Sequence, residues 1–251
     1  AMKEFEEADK HGQNESFYHF FKALVLRELN RFEEAIREFD KAIELEPNNP
    51  AFHFHKGVVL YMLNQYEEAM KEFEEADKHY LDECHTDLLD ECHTDLAESH
   101  NAKGVVLLEL GRYDEALKEF DKTIELEPNN PSYHGNRGAA LKELGRYEEA
   151  IKEFEEAIEL YPTDPAFYFN KGNALLEWGR YEEAIKEFEE AIELEPNNPE
   201  YHYDKGIALL ELKRFEEAIR EFEEAIRLDP NNSESHNAKG VVLLELGRYD
   251  E

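Results

Sequence analysis

The chain has 251 residues, with 61 acidic side chains against 28 basic ones and a formal charge of −33, a balance that repels phosphate backbones and anionic membrane surfaces. Nucleic acid and membrane are therefore not expected as partners. No apolar run approaches the roughly 18 residues that cross a bilayer, no basic-then-apolar leader opens the chain, and Cys84 and Cys92 are too few to staple a secreted scaffold, so a reducing cytoplasm is the expected location. Glutamine is confined to Gln13 and Gln65 while glutamate is abundant, which points to a thermophile-like, archaeal-like source.

Taken in chain order, the sequence repeats every 34 residues. A half unit, 1–15, is followed by units 16–49 and 50–83, an irregular stretch 84–96, units 97–130, 131–164, 165–198 and 199–232, and a closing half unit 233–251. In the last full unit an apolar stretch from Lys205 to Leu212 leads to Phe215, Ala218, Ile219, Phe222, Ala225 and Ile226, whose spacing of three and four residues makes one apolar helical stripe. Gly206 sits inside the first helix, where glycine costs about 1 kcal/mol against alanine, so a close helix contact is the expected compensation. Gly57, Gly104, Gly138, Gly172 and Gly240 hold the same place, with Ala23 in the first unit. Gly111, Gly145, Gly179 and Gly247 are placed to close first helices in the left-handed conformation. Stretches such as Glu195-Pro196-Asn197-Asn198-Pro199 break the second helix and start the next unit. Two helices per unit predict an all-α chain of about fourteen helical segments without a sheet.

A single pair of helices cannot bury its own apolar face, so the units must stack into a solenoid. The small residue at the eighth position, Tyr or Phe at the seventeenth, Ala at the twentieth, Phe at the twenty-fourth and Pro at the thirty-second resemble the tetratricopeptide repeat family over nearly the whole chain outside 84–96. The sequence departs from that family in carrying Lys or Arg at the seventh position (Lys22, Lys56, Lys103, Arg137, Lys171, Lys205, Lys239) and His or Tyr at the fourth.

The resemblance implies one right-handed superhelical solenoid of antiparallel helix pairs over 1–251 whose first helices line a concave groove for a peptide or protein segment. Mapped onto this chain, the groove residues are Phe17, Phe20, Leu24, Phe54, Val58, Asn101 and Val105, then Asn136, Phe169, Asn170, Asn173, Tyr203 and Ile207. The aromatic N-terminal end suits an apolar segment, and the amides suit a peptide backbone. The alternative for Phe17 and Phe20 is plain core packing against the preceding half unit. The family's carboxylate clamp is not reproduced, since the fifth position holds Phe20, Phe54, Asn101, Gly135, Phe169, Tyr203 and Asn237 and never a Lys.

Most acids fall on second helices, as in Glu182, Glu183, Glu187, Glu189, Glu190 and Glu193, and read as a solvated outer face. No phosphate-binding glycine loop or nucleophile elbow is present. With so many acids, adjacent carboxylates carry no catalytic signal, and no enzyme and no cofactor are expected. The column His19, His53, His100, His134, His202 and His236, interrupted by Tyr168, reads as packing plus a polar contact, because stacked helices about 8–10 Å apart cannot bring neighbouring histidines onto one zinc.

Within the irregular stretch the octapeptide 81–88 recurs unchanged as 89–96, either a recent duplication or an engineered copy. Leu81, Cys84, Leu88, Cys92 and Leu96 have helical spacing, and no Pro or Gly lies between Gly57 and Gly104, which predicts a helix over 80–96 continuous with the second helix of 50–83. Cys84, His85, Cys92 and His93 are the one metal-like constellation, but on a continuous helix the two pairs stand about 12 Å apart, so thiols packed on an apolar stripe are the expected reading.

Finally, 1–11 is identical to 69–79 and 234–251 to 98–115. One end begins at position twenty of the repeat and the other stops at position nineteen, so Phe5 and Ala8 at one end and Leu243 and Leu246 at the other are expected to expose complementary apolar faces. Head-to-tail assembly of copies, in a natural or an engineered self-assembling solenoid, is the alternative to a peptide-binding adaptor.

Overall fold

A computed structural model describes residues 15–83 and 89–250 of the chain. Among the described residues there are thirteen helices and no strand: α1 (Glu15–Glu28), α2 (Phe32–Leu45), α3 (Pro50–Met62), α4 (Tyr66–Glu83), α5 (Leu89–Glu109) and α6 (Tyr113–Leu126), then α7 (Pro131–Glu143), α8 (Tyr147–Leu160), α9 (Pro165–Glu177), α10 (Tyr181–Leu194), α11 (Pro199–Glu211), α12 (Phe215–Leu228) and α13 (Ser233–Glu245). They pack in chain order as antiparallel pairs of a tetratricopeptide-like array. The fourteenth predicted helix, in 1–14, falls outside the described residues. None of the described helices is long and apolar enough to cross a membrane.

Local chemistry sets the helix ends. Asn49, Asn130, Asp164 and Asn198 accept a backbone N–H at the start of α3, α7, α9 and α11, and each is followed by Pro at the first helical position, where a missing N–H is harmless. First helices close on a residue with positive φ: Gly111, Gly145, Gly179 and Gly247, as the sequence predicts, and Asn30, Asn64 and Lys213 where no glycine is available.

The chain divides into two compact units, 1–128 and 129–251. In the first, α1, α2 and α3 enclose Phe20, Ala23, Leu26, Phe39, Ala42, Phe52 and Val59, and a second cluster holds Leu60, Ala69, Phe73 and Val106. In the second, Phe154, Phe188 and Phe222 are wholly buried with Ala150, Ala157, Ala184, Ala191, Ala218 and Ala225. The mid-helix glycines explain this packing. A Cβ at Gly172 would lie 2.6 Å from the Phe188 ring, and one at Gly206 would lie 2.5 Å from the Phe222 ring, so the phenyl ring of the second helix rests directly on first-helix backbone.

The predicted continuous helix over 80–96 is corrected. Residues 84–88 lie outside the described residues, but Ala76, Tyr80 and Leu96 share one core cluster, and the Ser99 Oγ donates to Asp77 Oδ1 at 2.5 Å. On one helix Tyr80 and Leu96 would stand about 24 Å apart. The chain therefore reverses, and the second octapeptide copy lengthens the following first helix, α5. Tyr80 and Leu96 are buried in that cluster while Leu81 stays 52% exposed, so the apolar side chains that an isolated extension would leave in water are only partly covered.

Candidate functional site

The positions where this chain departs from the family pattern form a repeated polar layer. At the fourth position the Nδ1 atoms of His19, His53, His100, His134 and His202 lie 2.6, 2.7, 2.7, 2.9 and 2.8 Å from Glu38, Glu72, Glu119, Glu153 and Glu221, at the twenty-third position of the same unit. The seventh-position cation joins the same carboxylate: Lys56 to Glu72 at 2.6 Å, Arg137 to Glu153 at 2.5 Å, and Lys171 to Glu187 and Lys205 to Glu221 at 3.0 Å each. Four of these lysines also reach back to an acid on the preceding second helix, with Lys56 bound to Asp40, Lys171 to Glu155, Lys205 to Glu189 and Lys103 to Asp77. Each thus clamps three helices.

The histidines add a loop contact. His53 Nε2 donates to the Pro47 carbonyl at 2.9 Å while Nδ1 faces Glu72 at 2.7 Å, so an acceptor stands at each nitrogen and favours the charged ring. Burial opposes that charge, but Glu72 and the carbonyl outweigh it and raise the His53 pKa. Tyr168 makes the same loop contact through its hydroxyl, donating to the Pro162 carbonyl at 3.2 Å, which accounts for tyrosine within the histidine column. The expected packing plus polar contact is what the column does. Glu187, read from sequence as outer-face and solvated, is instead half-buried on Lys171.

Asp77, His100 and Glu119 bring three ligand atoms within 4.8 Å of one another. The Lys103 ammonium lies 2.8 Å from Asp77 and 3.1 Å from Glu119, so a positive charge already occupies the middle of the group and it reads as an ion-pair layer. In the other units the second acid comes from the twenty-fifth position; here Asp77 stands three residues later, the register change that the lengthened α4–α5 pair imposes. Of the Cys-His constellation, Cys84 and His85 lie outside the described residues, and Cys92 and His93 lie in the first turns of α5.

Burial works to raise the carboxyl pKa of Glu38, Glu72, Glu119 and Glu221, yet the hydrogen bonds and charges of their His and Lys partners win and hold all four below the ordinary 4.5, Glu38 at about 2. Acids that are stronger in the folded chain contribute stability above pH 4.5 and lose it as pH falls toward the folded value. This layer should therefore make thermal midpoints drop as pH falls below about 4.5. Glu72→Gln with Glu221→Gln should flatten that drop. An unchanged acid limb would contradict the assignment.

The sequence-derived groove residues divide. Phe20 is 7% exposed, its ring 6.0 Å from Phe39, 5.0 Å from Phe52 and 5.4 Å from His55. It is a core residue, because aromatic neighbours from three helices close over it. Phe17 and Leu24 are half-buried against the same cluster, and Phe54 and Val58 against the Phe73 cluster. Asn101 and Val105 are half-buried on α5, and Asn136 on α7. In unit 129–251 Phe169 and Asn170 on α9 and Tyr203 and Ile207 on α11 are likewise half-buried, with the two rings 5.9 Å from those of Phe188 and Phe222. Asn173 on α9 hydrogen-bonds Asp204 on α11, a residue that sequence reading missed. Burial, with Glu200 and Glu234 nearby, raises the Asp204 carboxyl to about 6 against the Asn173 bond that lowers it. Its sequence signal was faint: it occupies the sixth position, where Asn136 and Asn170 stand in the two preceding units.

At the chain ends, Phe5 and Ala8 lie outside the described residues. Leu243 is 7% exposed, so it is not the bare face expected; it turns inward against the preceding pair, and Leu246 is half-buried. The exposed apolar residues of α13 and its following turn are Val241 at 41%, Leu244 at 62% and Tyr249 at 77%.

The tetratricopeptide repeat profile matches residues 101–165, 169–233 and 203–251, and a further profile described as TPR repeat matches 23–64. The chain belongs to the tetratricopeptide repeat family. No curated protein sequence matches it. Among solved structures, this repeat protein is similar in fold to the APC/C hetero-tetramer Cut9-Hcn1 (TM-score 0.73, 16% identity, 95% of this chain and 45% of that one). It is similar also to the C-terminal part of a TPR repeat-containing protein from Cytophaga hutchinsonii (TM-score 0.71, 20% identity, 92% and 87%). A third is YrrB, described as a TPR protein with an unusual peptide-binding site (TM-score 0.59, 23% identity, 80% and 97%). At these identities the likeness concerns the fold.

Proposed function

We propose that this tetratricopeptide repeat chain is a non-enzymatic scaffold that binds an extended peptide or protein segment across the first helices of unit 129–251. The observation that carries the reading is the half-buried run Phe169, Asn170, Asn173, Tyr203, Asp204 and Ile207 on α9 and α11, where two rings stand beside the hydrogen-bonded Asn173–Asp204 pair. Asn170 has no hydrogen-bond partner among the described residues and can serve a peptide backbone, while the two rings offer flat apolar area. Asp204 supplies specificity. With Glu200 and Glu234 beside it, the charge complement is a basic side chain, in keeping with the acidity of the whole chain.

The site carries a stability penalty whose sign is definite. The Asp204 carboxyl is a weaker acid folded than unfolded, so the native state holds the extra proton between pH 3.8 and about 6 and stability falls as pH rises through that window. Asp204→Asn should therefore stabilise the chain at neutral pH, by about 1–3 kcal/mol.

The same substitution should weaken binding. A peptide selected from a random display library on the immobilised chain should carry Lys or Arg, and at pH 7 Asp204→Asn should lower its affinity roughly tenfold, the worth of one charge-assisted hydrogen bond. For the parent chain, affinity should rise as pH increases through about 6. Selected peptides without a basic residue, or insensitive to Asp204→Asn, would overturn the reading.

A further inference from the structure

The fourteenth position of the repeat holds leucine in every unit but one: Leu29, Leu63, Leu110, Leu144, Leu212 and Leu246, against Trp178. Trp178 is the chain's single tryptophan, and it stands on the turn after α9 with 41% of its surface exposed. Leucine serves the same turn elsewhere with a smaller apolar area left in water. The indole therefore calls for a role outside packing.

The ring already holds one cation. The Arg180 guanidinium lies 4.8 Å from the indole centroid, inside the roughly 6 Å over which the negative face of an aromatic ring attracts positive charge. Trp178 also walls a surface cleft of about 230 Å³, whose other walls are Gly145, Arg146, Tyr147, Glu148 and Glu149, on the turn that opens α8. Arg180 is not among them, so the indole turns part of its exposed surface to the cleft. Gly145 closes α7 with a φ of +70° and keeps the space open, since a Cβ there would meet nothing within 4 Å.

Charge selects the occupant. Arg146 gives its whole fork to Glu149, Nε to Oε1 at 2.8 Å and Nη2 to Oε2 at 2.6 Å, and the two charges cancel. Glu148 is left with Lys152 at 3.2 Å, where both side chains are at least 65% exposed, a surface pair that water and salt loosen. The formal charge of −33 adds to the same sign. Two aromatic side chains in a negative field suit a cation and repel an anion. A lysine ammonium would give up strong hydration against rings that offer it no full hydrogen bonds, whereas a quaternary ammonium has no N–H to satisfy and meets an aromatic face through its methyl groups.

We infer that the cleft between Trp178 and Tyr147 binds a quaternary ammonium group, with its methyl groups against the two rings and its charge beside Glu148. A ligand that also carries a carboxylate would meet Glu148 with like charge, so choline is preferred over glycine betaine. The site needs nothing from the α9–α11 run and stands or falls apart from it.

The test titrates the 251-residue chain with tetramethylammonium and with choline at constant ionic strength, reading the emission of its one tryptophan and the width of the ligand's methyl proton signal. Both cations should give a saturable response, with dissociation constants on the order of a few millimolar. The neutral analogue of choline, in which a tert-butyl group replaces trimethylammonium, should respond roughly tenfold more weakly. Trp178→Leu restores the residue of the other units, so it should keep its helix content and lose the broadening of the methyl signal. Tyr147→Leu should weaken binding roughly tenfold. A peptide carrying trimethyllysine, run beside choline, tells the two sources of the group apart: tighter binding of the peptide assigns a protein side chain, and equal binding assigns a free solute. Equal binding of the neutral analogue, which needs no variant to measure, overturns the inference by making the cleft merely apolar. Broadening that persists in Trp178→Leu, or a parent chain without any saturable response, also overturns it.

Discussion

Phe188→Ala is expected to destabilise the 129–251 unit by about 3–5 kcal/mol, the range for deleting a fully buried phenyl ring. The ring is wholly inaccessible and sits on the Gly172 backbone with the edge of Phe169 against it. A bare glycine surface cannot move in to fill the space, because the first helix is already held by the Lys171 bridges to Glu155 and Glu187. Urea denaturation followed by circular dichroism at a constant slope should read the loss directly as a lower midpoint. A cost under about 1 kcal/mol would mean that the helices of this pair can close over the void, and that the glycine-on-phenyl contact does not set their spacing.

Asp77→Ala is the second large effect, again about 3–5 kcal/mol, because it strips a partner from a buried cation. Lys103 is 8% exposed and bonded to Asp77 at 2.8 Å, and the Ser99 hydroxyl depends on the same carboxylate. Asp40 plays the corresponding part for Lys56 with 47% of its side chain exposed; water can replace it there, and Asp40→Ala should cost under about 1 kcal/mol. The comparison isolates burial from pairing, since both acids make the same kind of bond at 2.8 Å. Equal losses for the two variants in parallel melts would contradict this account of the layer.

These two sites differ in how far sequence alone could reach them. The Gly172–Phe188 contact was legible, because a mid-helix glycine and a phenylalanine sixteen residues later recur together from unit to unit and only close packing excuses the glycine. The Asp77–Lys103 pair was not. The regular spacing points from Lys103 to Glu74, and the choice of Asp77 follows from how α4 and α5 extend past each other around the duplicated octapeptide, a tertiary fact with no local pattern. The same limit explains the error over 80–96: helical spacing is present in both copies, but spacing cannot report a reversal of the chain between them. Phe20 and Phe54 share a repeat position, yet only Phe20 is enclosed, because its neighbours Phe17, Phe52 and His55 happen to be aromatic. The lysine and histidine columns were visible as departures from the family; their shared glutamate was hidden among so many acids and became evident only as geometry. Asp204 was hidden for the same reason.

Reception of the partner segment by the first helices of unit 129–251 is tested most directly by hydrogen–deuterium exchange with a selected basic peptide. Saturating peptide should slow exchange along α9 and α11, around Asn170, Asn173, Tyr203 and Asp204, with α10 and α12 unchanged, and the protection should fade in Asp204→Asn. Protection confined to the second helices α10 and α12, or equal in the parent chain and in Asp204→Asn, would contradict it.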